Sequence, residues 1–216
     1  MKNNKEASYK VAEYLLQIKA VKINLTNPYK WSSGWLSPFY CDNRVILSYP
    51  AIRTYIRQTF VDTINNQFGT PDIIAGVATG GIAIGALVAQ ELGLPFAYVR
   101  PEPKKHGLGN AIEGHVEAGQ SVIVIEDLVS TGGSSLRAIQ HLKDYGCTIK
   151  SMISVFTYNL KLSQEKFKEA KLQTTSLCSF EELSEVALQK EYITTKQYEQ
   201  LKEWHTNPEN WTQLNG

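Results

Sequence analysis

A chain of 216 residues with 43% hydrophobic and 20% charged side chains can bury a core of its own and has the make-up of an ordinary soluble protein. Its 22 Lys and Arg nearly balance 21 Asp and Glu, so a formal charge of +1 offers no global field to nucleic acid or anionic lipid, and any anion site has to be local. Cys41, Cys147 and Cys178 lack metal-ligand spacing, Met1 to Glu6 lacks an apolar signal core, and the most apolar stretch, Gly80 to Ala89, is about half a bilayer span. A cytoplasmic protein is expected.

Val11, Leu15 and Ile18 stand at helical spacing and predict an amphipathic first helix. From Asn24 to Arg44 the chain is rich in Asn, Pro, Ser, Gly and aromatics, which predicts loops and short strands. Pro50 to Phe68 returns to helical spacing through Ile52, Tyr55, Ile56, Phe60 and Ile64, with Gly69 and Pro71 as its stop. After Pro71, short apolar strands alternate with helices: strand Ile73 to Val77, helix Ile82 to Leu92, strand Phe96 to Val99, strand Ser121 to Ile125, helix Ser134 to Tyr145, strand Thr148 to Phe156. Strands apolar along their whole length predict a parallel sheet covered on both faces, hence an α/β fold. A helix near Gln164 to Ala170, a strand near Leu172 to Leu177 and two helices between Glu181 and Trp204 complete the reading.

The segment Glu126-Asp127-Leu128-Val129-Ser130-Thr131-Gly132-Gly133-Ser134-Ser135 follows one of those strands and opens a helix. Gly132 and Gly133 allow backbone angles closed to other residues, so successive amides can face one concavity. Ser130, Thr131 and Ser134 add hydroxyls, and the helix N-terminus adds its dipole and free N–H groups; the sum is a site for a phosphate monoester. It matches neither the nucleotide P-loop nor the dinucleotide turn. Glu126 and Asp127 are expected where the strand ends, at the carboxyl edge used by open α/β sheets, as paired acceptors for a vicinal diol. One of them could also stabilise positive charge developing on a sugar ring.

A second glycine turn, Gly76 to Gly81, opens another helix, so Thr79 and Gly80 are candidates for a second phosphate group. Between Val99 and Val116 lies a long Pro- and Gly-containing loop bearing Arg100, Lys104, Lys105 and His106. Those cations could neutralise a diphosphate while Gly107 and Gly109 permit a lid motion. Tyr29 to Arg44 is too polar and aromatic for ordinary core; Arg44 could pair with a ligand carboxylate, and aromatics such as Tyr40 could flank a flat base.

The Glu126-to-Ser134 run resembles the phosphoribosyl diphosphate signature of the type I phosphoribosyltransferases, in the form used by their orotate-specific branch. Ser33 through Arg44 resembles that branch's S-G-x-x-S-P-x-Y-x-D-x-R pattern. The resemblance covers nearly the whole chain and implies that family's fold, a central parallel sheet flanked by helices with a small N-terminal hood. It divides the chain into residues 1–48 (helix and hood), 49–180 (core) and 181–216 (helices packed on the core). It implies transfer of a phosphoribosyl group from phosphoribosyl diphosphate to orotate, giving orotidine monophosphate and diphosphate, a step of pyrimidine biosynthesis.

By the same resemblance, Glu126, Asp127, Leu128, Val129, Ser130, Thr131, Gly132, Gly133, Ser134, Thr79, Gly80, Arg100, Lys104, Lys105 and His106 hold the donor. Ser130, Tyr40 and Arg44 hold orotate, and Lys104, His106 and Asp127 act in catalysis. It further implies Mg²⁺ carried by the diphosphate with no direct protein ligand, and a homodimer whose basic loop reaches the neighbouring subunit's site. Two departures stand out: Pro101 and Glu102 follow Arg100 where many relatives have at least one lysine, and Ser32 and Thr157-Tyr158-Asn159 occupy places where some relatives bind orotate through Lys and Arg. A purine-type phosphoribosyltransferase and a non-catalytic regulator sensing phosphoribosyl diphosphate are the rival readings. Nucleic acid and membrane are not expected partners.

Overall fold

The computed structural model describes residues 2–31, 34–102 and 111–211. In chain order its elements are α1 (Lys2–Gln17), β1 (Val21–Ile23), β2 (Tyr29–Lys30), β3 (Leu36–Ser37), β4 (Phe39–Cys41), a 3-10 turn (Asn43–Ser48) and α2 (Pro50–Gln67). There follow β5 (Ile73–Val77), α3 (Gly80–Leu92), β6 (Phe96–Val99), β7 (Ile112–Glu113), β8 (Ser121–Val129) and α4 (Gly133–Asp144). The chain continues through β9 (Thr148–Thr157), α5 (Lys161–Glu169), β10 (Thr174–Ser179), α6 (Phe180–Gln189) and α7 (Thr195–Thr206). Contacts group them into two compact units, Leu47–Leu177 and Met1–Ile46 with Cys178–Gly216. The C-terminal helices α6 and α7 fall in the unit that also holds the N-terminal segment.

The larger unit is built on a six-stranded sheet of order β10-β9-β8-β5-β6-β7. β5 runs parallel to β6 and β8, and β8 parallel to β9. The apolar runs cause this: all five residues of β5 are buried, as are Val122 to Glu126 of β8 and Ser151 to Phe156 of β9, which is the mark of strands covered on both faces. Asp72 fixes the β5–β8 register, its carboxylate accepting from both the amide and the hydroxyl of Ser121 at 2.7 Å. The expected parallel sheet gains an antiparallel edge, because β7 pairs back on β6 through Tyr98↔Glu113 and Val99↔Ile112.

β8 also exceeds its expected end at Ile125 and continues to Val129. On one side its pairing with β5 stops at Gly76↔Ile125; on the other its pairing with β9 continues to Val129↔Thr157. Glu126 and Asp127 thus lie within a strand that overhangs its neighbour, rather than just past a strand end.

In the smaller unit β1 pairs with β4 and β2 with β3, all antiparallel. Phe39, Phe180 and Trp204 form its fully buried aromatic centre, where the Trp204 indole N–H donates to the Leu36 carbonyl at 3.0 Å. Ser179 and Glu182 cap α6 reciprocally, and the Ser8 hydroxyl of α1 donates to Glu182 at 2.7 Å, tying α1 to the start of α6.

Candidate active site

The glycine turn expected to hold a phosphate follows β8, which ends at Val129. Gly132 takes φ +75°, and a Cβ there would come within 2.8 Å of the Phe167 ring, so both backbone angle and neighbour require glycine. No side chain caps α4 at this position. Ser134 is exposed and Ser130 and Thr131 are half-buried, and the first amides of a helix, which have no partner within it, suit an anion. Val129 differs: its side chain is 3% exposed and belongs to the core, which leaves only its backbone for a ligand.

The two carboxylates have different surroundings. Glu126 is 4% exposed; its Oε2 accepts from the Ser135 hydroxyl at 2.7 Å and its Oε1 from the Asp127 amide at 3.1 Å. Burial pushes its carboxyl well above the usual carboxylate range, with the charge of Asp127 adding to the effect. Glu126 is therefore a buried acid bound to α4. Asp127 is half-buried, and its carboxylate lies against the backbone of Gly80.

The second glycine turn makes that approach possible. A Cβ on Gly80 would fall 2.0 Å from Asp127 Oδ2. A Cβ on Gly81 would meet the Ile125 carbonyl at 2.4 Å, and one on Gly76 the Gly81 carbonyl at 2.5 Å. Three glycines thus let the start of α3 lie on the overhang of β8. The Ala78–Thr79 peptide bond is cis, and the Ala78 amide donates to the Val99 carbonyl at 2.8 Å. Thr79 is exposed and makes no side-chain bond to the helix it precedes. The Gly76-to-Gly81 turn, about fifty residues before the Gly132 turn in sequence, is thus brought against Asp127.

Arg100 stands at the base of the long loop. Its amide donates to the Ala111 carbonyl at 2.8 Å, its Nε lies 3.6 Å from Glu113 Oε1, and its guanidinium sits 5.8 Å from the centre of the Tyr98 ring. Lys104, Lys105 and His106 lie outside the described residues.

In the smaller unit Tyr40 is 38% exposed and packs against Tyr29 at 5.3 Å between ring centres. Arg44 forms a two-pronged pair with Asp42, Nε to Oδ1 at 2.7 Å and Nη2 to Oδ2 at 2.9 Å, which holds the Asp42 carboxyl below its ordinary range. Ser32 and Ser33 lie outside the described residues. In the larger unit, Tyr158 is buried edge-on against Phe156, and the Asn159 side chain accepts from Gln164 at 2.7 Å.

Sequence reasoning expected a helix near Gln164 to Ala170 but missed that α5 lays Phe167 and Ser163 on Gly132. No local pattern announces that contact, because the helix follows the loop by some thirty residues.

Residues 44–191 match the family model described as a phosphoribosyl transferase domain. The chain is 45% identical over 201 residues to the orotate phosphoribosyltransferase of Porphyromonas gingivalis, covering 93% of this chain and 96% of that one. It is 48% identical over 200 residues to that of Phocaeicola vulgatus, covering 93% and 94%. Among solved structures it resembles the UMP synthase of Leishmania donovani (TM-score 0.79, 24% identity), covering 93% of this chain and 42% of that one. It also resembles the orotate phosphoribosyltransferase of Aeropyrum pernix (TM-score 0.70, 24% identity, 81% and 97% covered); at that identity the likeness bears on fold alone. The fold and cradle define a type I phosphoribosyltransferase. At the identities above, the chain belongs to the orotate phosphoribosyltransferase family.

Proposed function

We propose that this chain transfers the phosphoribosyl group of 5-phosphoribosyl 1-diphosphate to N1 of orotate, forming orotidine 5′-phosphate and diphosphate in pyrimidine biosynthesis. The observation that carries this reading is the Gly80 turn lying against Asp127, the carboxylate near the start of the Glu126-to-Ser135 run. That run opens the helix suited to the 5′-phosphate and the turn opens the helix suited to the diphosphate, so the sugar between those groups lies over that carboxylate.

In the reaction the bond from C1 to the diphosphate oxygen breaks and a bond from C1 to N1 forms, through a ring carrying oxocarbenium character. Asp127 accepts from the ribose hydroxyls and offers negative charge to that cation. Glu126 serves the donor from behind, as the buried acid that fixes Asp127 and ties it to α4 through Ser135. The amides and hydroxyls from Leu128 to Ser134 bind the 5′-phosphate; Thr79, Gly80, Arg100 and Lys105 bind the diphosphate. Lys104 and His106 stabilise the departing diphosphate, while the loop that carries them excludes water from a sugar that would otherwise be hydrolysed. Ser130, Tyr40 and Arg44 recognise orotate, with Asp42 orienting the guanidinium.

Mg²⁺ fits this donor set. Among the described residues no three His, Cys, Asp or Glu side chains cluster as a metal cage, and Mg²⁺ with phosphate substrates needs none, since it is held by phosphate oxygens and waters. When bound it neutralises the diphosphate. The enzyme works as a homodimer whose basic loop reaches the partner's site. It acts in the cytoplasm; among the described residues no helix is long and apolar enough to cross a membrane.

A steady-state panel of orotate, adenine, hypoxanthine and uracil, each with phosphoribosyl diphosphate and Mg²⁺, tests the reading. Turnover with orotate alone is expected; turnover with a purine and none with orotate would replace it with the purine-type reading. Salt-dependent nucleic-acid binding without turnover would replace it with the regulator.

A further inference from the structure

The cradle from Glu126 to Ser135 contains two acids and no basic residue, although a phosphate dianion is its expected guest. The cation comes from elsewhere in the fold. α5 packs on the loop, with the Phe167 ring 2.8 Å and the Ser163 Cβ 3.5 Å from where a Cβ on Gly132 would stand. From the same helix the half-buried Lys166 extends its ammonium to the Thr131 carbonyl at 3.4 Å.

That carbonyl belongs to the same planar peptide unit as the Gly132 amide. In a trans peptide C=O and N–H point in opposite directions, so a donor that holds one fixes the other. We propose that Lys166 is a positioning residue for the 5′-phosphate. Its ammonium anchors the Thr131 carbonyl outside the cradle, which aims the Gly132 N–H inward, polarises that N–H as a donor and brings one positive charge beside the loop. Arg137 has a lesser part: its Nη1 lies 3.5 Å from the Cβ position of Gly133, but the side chain is exposed and screened by solvent.

The inference rests on the loop being the 5′-phosphate site, as argued above. Calorimetric titration of the whole protein with ribose 5-phosphate and, separately, with diphosphate and Mg²⁺ tests it on wild type, Lys166→Met and Lys166→Arg. Lys166→Met should weaken ribose 5-phosphate about tenfold, the loss of one charge-assisted contact. Diphosphate binding, which uses the other turn, should stay within twofold on this reading, and Lys166→Arg should recover most of the loss. The deficit of Lys166→Met should shrink as salt rises, because the missing interaction is ionic. Unchanged ribose 5-phosphate binding in Lys166→Met overturns the proposal, as does equal weakening of both ligands, which would mark a general disturbance of α5. A wild-type protein that binds diphosphate but no ribose 5-phosphate overturns the loop assignment and the proposal with it.

Discussion

Replacing Gly80 with alanine separates geometry from stability at the proposed reaction centre. The new methyl would stand 2.0 Å from Asp127 Oδ2, and contacts shorter than 3.0 Å are not sustained, so the carboxylate must retreat by about 1 Å. That retreat is easy, because the obstructing atoms end a short side chain. In a helix, alanine also gains up to about 1 kcal/mol over glycine, so the unfolding temperature should move little. Catalysis should suffer far more: displacing a positioned group by about 1 Å can lower the rate by on the order of 100-fold. Gly81→Ala is the converse case. Its methyl meets the Ile125 carbonyl at 2.4 Å, backbone that cannot step aside, and overpacking of that kind costs about 1–3 kcal/mol or more. For a chain of this size that lowers the unfolding temperature by roughly 2–12 °C. Thermal melts and kcat/KM for both variants form the assay. Gly80→Ala with kcat/KM within twofold of wild type would refute the reasoning, since Asp127 would then not act from the position it occupies.

The remaining expectations concern a buried acid and the basic loop. A carboxyl whose folded pKa is raised, as burial raises that of Glu126, stays protonated in the fold while the unfolded chain ionises. Its stability contribution is complete below the unfolded value near 4.5 and declines as pH climbs towards the folded value. Glu126→Gln removes that titration, so its unfolding temperature should rise relative to wild type as pH climbs above the unfolded value near 4.5. A gap that stays flat or closes with pH would mean that Glu126 is ionised in the fold. Lys104→Ala should lower kcat by on the order of 100-fold while donor binding changes much less, because its charge is needed mainly as diphosphate departs. Single-turnover rates beside donor titration check this, and unchanged turnover removes Lys104 from the mechanism.

Much of this molecule was legible in its sequence, for identifiable reasons. β5, β8 and β9 announced themselves because strands buried on both faces must be apolar throughout, and α2 because Ile52, Ile56, Phe60 and Ile64 fall on one face. The cradle was legible because its chemistry is local, from Glu126 to Ser135. The end of β8 was not: Glu126-Asp127 reads as a strand stop, yet pairing of Glu126 with Ser154 and Leu128 with Phe156 carries the strand onward. Glu126 tolerates that burial because Ser135 and the Asp127 amide satisfy its oxygens.

Other features depend on geometry that residue spacing alone does not give. β7 is two residues long and exists only because β6 offers an edge. Gly76, Gly80 and Gly81 read as an ordinary turn until their distances to Gly81, Asp127 and Ile125 show which approaches forbid a side chain. Arg44 reads as a cation for a ligand carboxylate, and the structure adds what spacing does not show, a two-pronged pair with Asp42. Lys166 is one lysine among several on an amphipathic helix until its ammonium is found at Thr131.

The central claim, that phosphoribosyl transfer to orotate takes place over Asp127, is tested most directly by one spectrophotometric comparison. The loss of orotate absorbance with phosphoribosyl diphosphate and Mg²⁺ is followed for wild type and for Asp127→Asn, which keeps the shape and removes the charge. The account predicts steady consumption of orotate by wild type and a rate on the order of 100-fold lower for the variant, with its melting curve preserved. No consumption by wild type, or equal rates for the two proteins, would contradict it.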